Sequence, residues 1–99
     1  MSFVLSNRAE RDVRDILHYT EETWGREQRL KYSDMLEDTF ESLDDGTLAG
    51  RTCDEIKSDY QQYHVGKHYI FYRQISADDI EIVRVLHERM NFETHLNDH

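Results

Sequence analysis

At 99 residues, with 12 basic and 21 acidic side chains and a formal charge of −9, the chain has room for one compact domain, 1–99, and not for two. Hydrophobic residues make up 37% and charged residues 33%, enough apolar matter for a core beneath a strongly solvated surface. The acidity works against the phosphate-neutralising surface of a nucleic-acid binder, and neither a membrane-spanning run nor a signal-peptide-like stretch is present; the one cysteine, Cys53, closes no intramolecular disulfide, so a cytoplasmic protein is expected.

Phe3, Val4 and Leu5 form a short apolar run that stops at Ser6-Asn7, where Asn7 and Glu10 have capping-box-like spacing. A strand should therefore hand over directly to a helix. Along that helix Ala9, Val13, Ile16, Leu17, Thr20 and Trp24 recur at spacings of three and four, which predicts one apolar stripe, broken by Gly25. A second helix follows, with Tyr32, Met35, Leu36, Thr39, Phe40 and Leu43 on one face, so the two make a hairpin joined at Trp24-Gly25. The segment DDGTLAG, residues 44–50, carries turn residues and no period and reads as a loop.

From Tyr60 the chain turns aromatic and β-branched with short punctuations, the pattern of an antiparallel meander. Three strands are expected, over 60–65, 68–75 and 80–87, with turns at Gly66-Lys67 and at 76–79. The last is apolar on both faces and belongs inside the sheet, leaving 3–5 to pair beside the meander. The expected fold is α+β in the order β-α-α-β-β-β: an N-terminal helical hairpin on one face of an antiparallel sheet, followed by a tail.

Charge is uneven. Asp34, Glu37, Asp38, Glu41, Asp44 and Asp45 fall within a dozen residues, and Arg8, Arg11 and Arg14 cluster near the start; these are solvated helix faces or docking sites for a charged partner. Six histidines invite a metal reading, with His64 and His68 four apart and His87, His95 and His99 further on. A two-residue Gly66-Lys67 turn pairs Val65 with His68 and His64 with Tyr69, which puts His64 and His68 on opposite faces, so no metal site and no cofactor are expected. Cys53 lacks a CxxC or CxxH partner, and glycines 25, 46, 50 and 66 form no phosphate-cradling loop.

Glu55, Arg73 and His87 have the chemistry of an RNA-cleaving set, with His87 as proton donor and Arg73 on the phosphate. Each also has a structural reading: Glu55 on an exposed loop, Arg73 paired with a carboxylate across the sheet, His87 capping a strand end. The aromatic cluster Tyr60, Tyr63, Tyr69, Phe71 and Tyr72 reads as core ahead of a base-stacking platform.

The stretches LSNRAERDVRDI, YTEETWGREQRLKY, LAGRTCDEI, VGKHYIFYR and IEIVRVLHERM, which together span nearly the whole chain, resemble the ParE branch of the RelE/ParE superfamily of type II toxin–antitoxin systems. The resemblance implies a growth-arresting toxin of the kind that stabilises plasmids or chromosomes. It implies a non-enzymatic protein that inhibits DNA gyrase by direct binding and is neutralised by a cognate, ParD-like antitoxin in a hetero-oligomer. RelE-type relatives instead cut mRNA on the ribosome, and several carry a catalytic arginine just after a hairpin histidine; the residue after His68 here is Tyr69, which stabilises no phosphate charge. The alternative function is thus a ribosome-dependent mRNA interferase using Glu55, Arg73 and His87, and a third is an inactive interaction module. The relatives' loop proline is missing from DDGTLAG, which predicts a more flexible loop, and the net acidity predicts an antitoxin interface dominated by apolar burial. Candidate target-binding residues are Trp24, Arg73, His87, Arg89 and Met90, at the helix junction and around the exit of the last strand; Trp24 also reads as core and Arg73 as a structural ion pair.

Overall fold

The computed structural model describes residues 2–97, with Ser2 and Asn97 as backbone alone. Strand β1 (Ser2–Leu5) leads into helix α1 (Asn7–Trp24), and helix α2 (Arg26–Asp44) follows after Gly25 alone. Gly25 sits at φ +96, a conformation that suits glycine, and its N–H closes the last turn of α1 onto Glu21 O at 2.9 Å. The short strand β2 (Arg51–Thr52), the meander β3 (Gln61–Val65), β4 (His68–Gln74) and β5 (Asp79–His87), and helix α3 (Phe92–Asn97) complete the order.

The sheet runs β1-β5-β4-β3-β2, so β5 lies between β1 and β4, as its two-sided apolar pattern requires. The α+β class, the helical hairpin and the meander agree with the sequence reading. Three features differ. Strand β1 pairs parallel to β5, with Phe3 opposite Ile80 and Leu5 opposite Ile82, so the sheet is mixed and not purely antiparallel. Arg51 and Thr52, between the expected loop and the first expected strand, pair with β3 as β2. The expected tail folds as α3, which covers the second face of the sheet.

The core is accordingly double. On the hairpin side Leu36, Phe40 and Leu43 of α2 and Ala9 of α1 pack on Ile70, Tyr72, Ile80, Ile82 and Val85. On the other side Leu96 of α3, Cys53 and Tyr60 pack on Phe71, Val83 and Leu86. The acidic residues Glu37, Asp38 and Glu41 lie exposed on the outer face of α2, a solvated face. At roughly 25 cal/mol per Å² of apolar surface removed from water, both faces contribute to holding the sheet.

One irregularity positions the functional end. Near its turn β4 pairs Arg73 with Glu81 and Tyr72 with Ile82, but from Phe71 onward the register is shifted by one, to Phe71 with Arg84 and His68 with His87. Val83 and Arg84 thus face the single residue Phe71, a β-bulge. An unbroken register would set His68 against Leu86 and turn His87 to the opposite face.

Candidate functional site

The shifted register brings His68 and His87 side by side on the hairpin face, their rings edge to face with centroids 5.3 Å apart. Above them the second half of α1 and the start of α2 overhang the end of the sheet. The result is an open groove of about 920 Å³. Its walls are Ile16, Tyr19, Thr20 and Trp24 from α1, Gln28 and Tyr32 from α2, the Gly66-Lys67 turn, and Met90 beyond β5; its floor holds His68 and His87, and Asp15 stands on the rim.

Three of the sequence's candidates, Trp24, His87 and Met90, therefore meet in one concavity. Trp24 is 68% exposed, Tyr19 65% and Met90 45%, large apolar surfaces left uncovered along one wall and rim. The core reading of Trp24 is corrected: it continues the stripe of α1 in spacing, but by the last turn no sheet remains beneath it. Arg89 is exposed beside the groove, and its N–H donates to His87 Nδ1 at 3.1 Å.

Arg73 lies elsewhere. It is offset from His68 by an odd number of positions along β4, so it faces the opposite side, five positions or roughly 17 Å from the histidine end. There its Nε donates to Glu81 Oε1 at 2.9 Å, the cross-sheet ion pair expected from the sequence. Glu55 is exposed in the loop after β2. Arg73 and His87 are thus not brought together, and Glu55, Arg73 and His87 do not assemble as an acid–base set.

His64 pairs with Tyr69 and Val65 with His68, and His64 stacks on Tyr69 at 4.5 Å, on the face away from His68. Among the described residues no group of three or more His, Cys, Asp or Glu is placed to hold a metal ion; His99 lies outside them. Nor is any helix among them long and apolar enough to cross a membrane. Tyr69 packs on Phe92 of α3 at 5.0 Å, so it and Phe71 are core aromatics, as the sequence reading preferred.

Tyr19, Tyr32 and His68 in the groove were not among the target-binding candidates from the sequence. The Tyr32 hydroxyl bonds His68 Nδ1 at 2.5 Å and accepts the Lys67 N–H at 3.4 Å, which ties α2 to the hairpin turn. The closeness depends on Gly66: a Cβ there would lie 2.8 Å from the Tyr32 hydroxyl, at φ +58. Burial, with the adjacent His87 second, holds His68 far below the ordinary imidazole range, at about 4, so it is neutral near pH 7. Burial also pushes the Tyr32 phenol up. The bulge is what the pattern does not announce; with it, the pairing of the two histidines follows.

The fold and the groove together define a small, strongly charged α+β domain with an exposed apolar concavity over a pair of histidines. The family model described as "ParE toxin of type II toxin-antitoxin system, parDE" matches residues 3–92. Toxin ParE1 of Caulobacter vibrioides is 37% identical over 92 residues, 93% of this chain and 94% of that protein. Toxin ParE1 of Mycobacterium tuberculosis is 33% identical over 94 residues, 95% and 96% of the two chains, and Toxin ParE of Escherichia coli is 30% identical over 97 residues, 98% and 94%. The chain belongs to the ParE toxin family of type II toxin–antitoxin systems. Its fold is similar to a solved structure described as the chromosomal ParDE TA system from P. aeruginosa, with a TM-score of 0.72, 19% identity, and coverage of 88% of this chain and 95% of that one.

Proposed function

We propose that this toxin acts in the cytoplasm by binding DNA gyrase and blocking it without cutting nucleic acid, and that a cognate ParD-like antitoxin neutralises it by filling the same groove in a toxin–antitoxin hetero-oligomer. The observation that carries the reading is the groove itself: Trp24, Tyr19 and Met90 stand exposed around one concavity, as aromatic and methionine anchors of protein interfaces do. The −9 charge argues for apolar docking over phosphate contact. Separation of Arg73 from His87, and Tyr69 in place of an arginine, argue against the interferase alternative. Arg89, exposed beside Met90, belongs to the proposed contact surface, whereas Arg73 sits on the far face with Glu81 and is no longer a favoured contact.

One preparation of the purified toxin, assayed side by side for gyrase supercoiling and for in vitro translation, decides between these readings. Supercoiling should fall and translation continue, and added antitoxin should restore supercoiling. Trp24→Ala, at an exposed position, should fold normally and lose inhibition by about 2 kcal/mol, roughly 30-fold in the concentration needed. Cleavage of ribosome-bound mRNA with supercoiling unaffected would refute the proposal.

A further inference from the structure

We propose that the small cavity walled by Arg8, Arg11 and Arg84 is a carboxylate-binding site, and that the antitoxin segment seated in the groove places an acidic side chain there.

The cavity measures about 220 Å³ and lies where α1, the edge of β5 beyond Ile82 and α3 converge; Asp12 and His95 complete its lining. Three arginines thus stand against one carboxylate, in a chain whose formal charge is −9. That carboxylate is already spent, because Asp12 accepts the Val85 N–H at 3.0 Å and Arg84 Nε and Nη2 at 2.7 and 3.0 Å. The same bonds fix Arg84, together with Nη1 donating to His95 O at 3.1 Å. They use three of the five N–H donors of a guanidinium and leave two to the cavity that Arg84 lines. Arg8 is engaged already, whereas Arg11 is exposed and makes no ion pair among the described residues. The spare charge is therefore that of Arg11, beside a guanidinium held in place. Paired N–H donors of a planar guanidinium match the two oxygens of a carboxylate.

The cavity continues the groove. Asp12, Asp15 and Tyr19 follow one another at spacings of three and four along one flank of α1, Asp12 in the cavity and Asp15 and Tyr19 on the groove. From Arg11 to Asp15 is about 6 Å along the helix axis, so one segment lying against α1 reaches both. The positive charge lasts for a single turn, since Asp12 backs it and Asp15 follows on the groove's rim. A nucleic-acid strand, with a phosphate about every 3.4 Å, would run from the arginines into these carboxylates. A polypeptide that carries one acid among apolar residues fits both parts, its carboxylate on Arg11 and Arg84 and its apolar face on Tyr19, Trp24 and Met90. On a surface this acidic, one cationic spot fixes the direction in which such a segment lies more than it adds affinity. The occupant is the antitoxin proposed above, and the placement rests on its seat in the groove.

Arg84 does not test the site, because its loss strands Asp12; Arg11→Gln does, at an exposed position that should fold normally. With toxin alone and glutarate as the probe, NMR of the arginine side chains should show Arg11 and Arg84 shifting in the millimolar range while Arg14, outside the cavity, stays fixed. Arg11→Gln should abolish the response. Shifts spread equally over Arg14 overturn the site, and a response to inorganic phosphate but not to glutarate overturns the carboxylate class. With the cognate antitoxin, Arg11→Gln should weaken binding about fivefold, mainly through slower association, and flatten its salt dependence. Exchanging the antitoxin's acidic residues one at a time for their amides should then find one whose loss costs nothing further in the Arg11→Gln toxin. Full additivity at every acidic residue overturns the placement. Trp24→Ala tests the seat separately: unchanged antitoxin binding there removes the seat, and the glutarate titration still decides the cavity.

Discussion

Ser6 shows how much one side chain contributes where two elements meet. Its Oγ accepts the Ala9 N–H at 3.0 Å, capping α1, and donates to Val83 O at 2.7 Å, while its own N–H reaches Ile82 O at 2.9 Å. In the sequence the capping signal fell on Asn7, by its spacing to Glu10. The structure chooses Ser6 because β1 must end beside β5, and only there does a hydroxyl serve both helix and sheet. Ser6→Ala should cost about 1–2 kcal/mol, a cap plus an orphaned carbonyl, and Asn7→Ala, at an exposed position, less than about 0.5 kcal/mol. Urea denaturation midpoints of the two variants check this order, and equal effects would return the cap to Asn7.

Among elements, the joint between α1 and β5 carries the largest polar commitment. Strand β1 covers the edge of β5 only to Ile82, and α1 continues the cover with a side chain: Asp12 accepts the Val85 N–H at 3.0 Å and two bonds from Arg84, at 2.7 and 3.0 Å. Arg84 also donates to His95 O of α3 at 3.1 Å, linking both helical layers. The pair is only 12% and 14% exposed, so removing one partner strands a charge: Asp12→Ala should cost about 3–5 kcal/mol. Glu81→Ala, which breaks the exposed Arg73 pair, should cost about 1 kcal/mol or less. The elements themselves were legible, since 3.6-residue and two-residue periods mark what each buries. The bulge was not, because Val83 and Arg84 fit an alternating strand as well as a bulged one. That single residue decides which face His87 takes, so the Glu55, Arg73 and His87 set looked plausible as sequence and is separated in space.

At the scale of the molecule, the sheet keeps two independent faces: the groove and hairpin on one, α3 and the Cys53–Tyr60 loop on the other. The last helix escaped the sequence reading because Phe92 and Leu96 are only two apolar positions in six residues, too few to show a period until the sheet face that they cover is known. A domain this small has about 5–15 kcal/mol of stability in all, so burial on the second face is not dispensable. Leu96 is fully buried among Cys53, Phe71 and Leu86, and Leu96→Ala should cost about 2–5 kcal/mol, read as a lowered urea midpoint. Because Phe71 and Leu86 point away from His68 and His87, the cost should fall on stability and not on the groove. Well below its transition, the Leu96→Ala protein should keep the Trp24 emission and gyrase inhibition of the parent. Loss of inhibition in a folded Leu96→Ala toxin would mean that the contact surface extends to the α3 face.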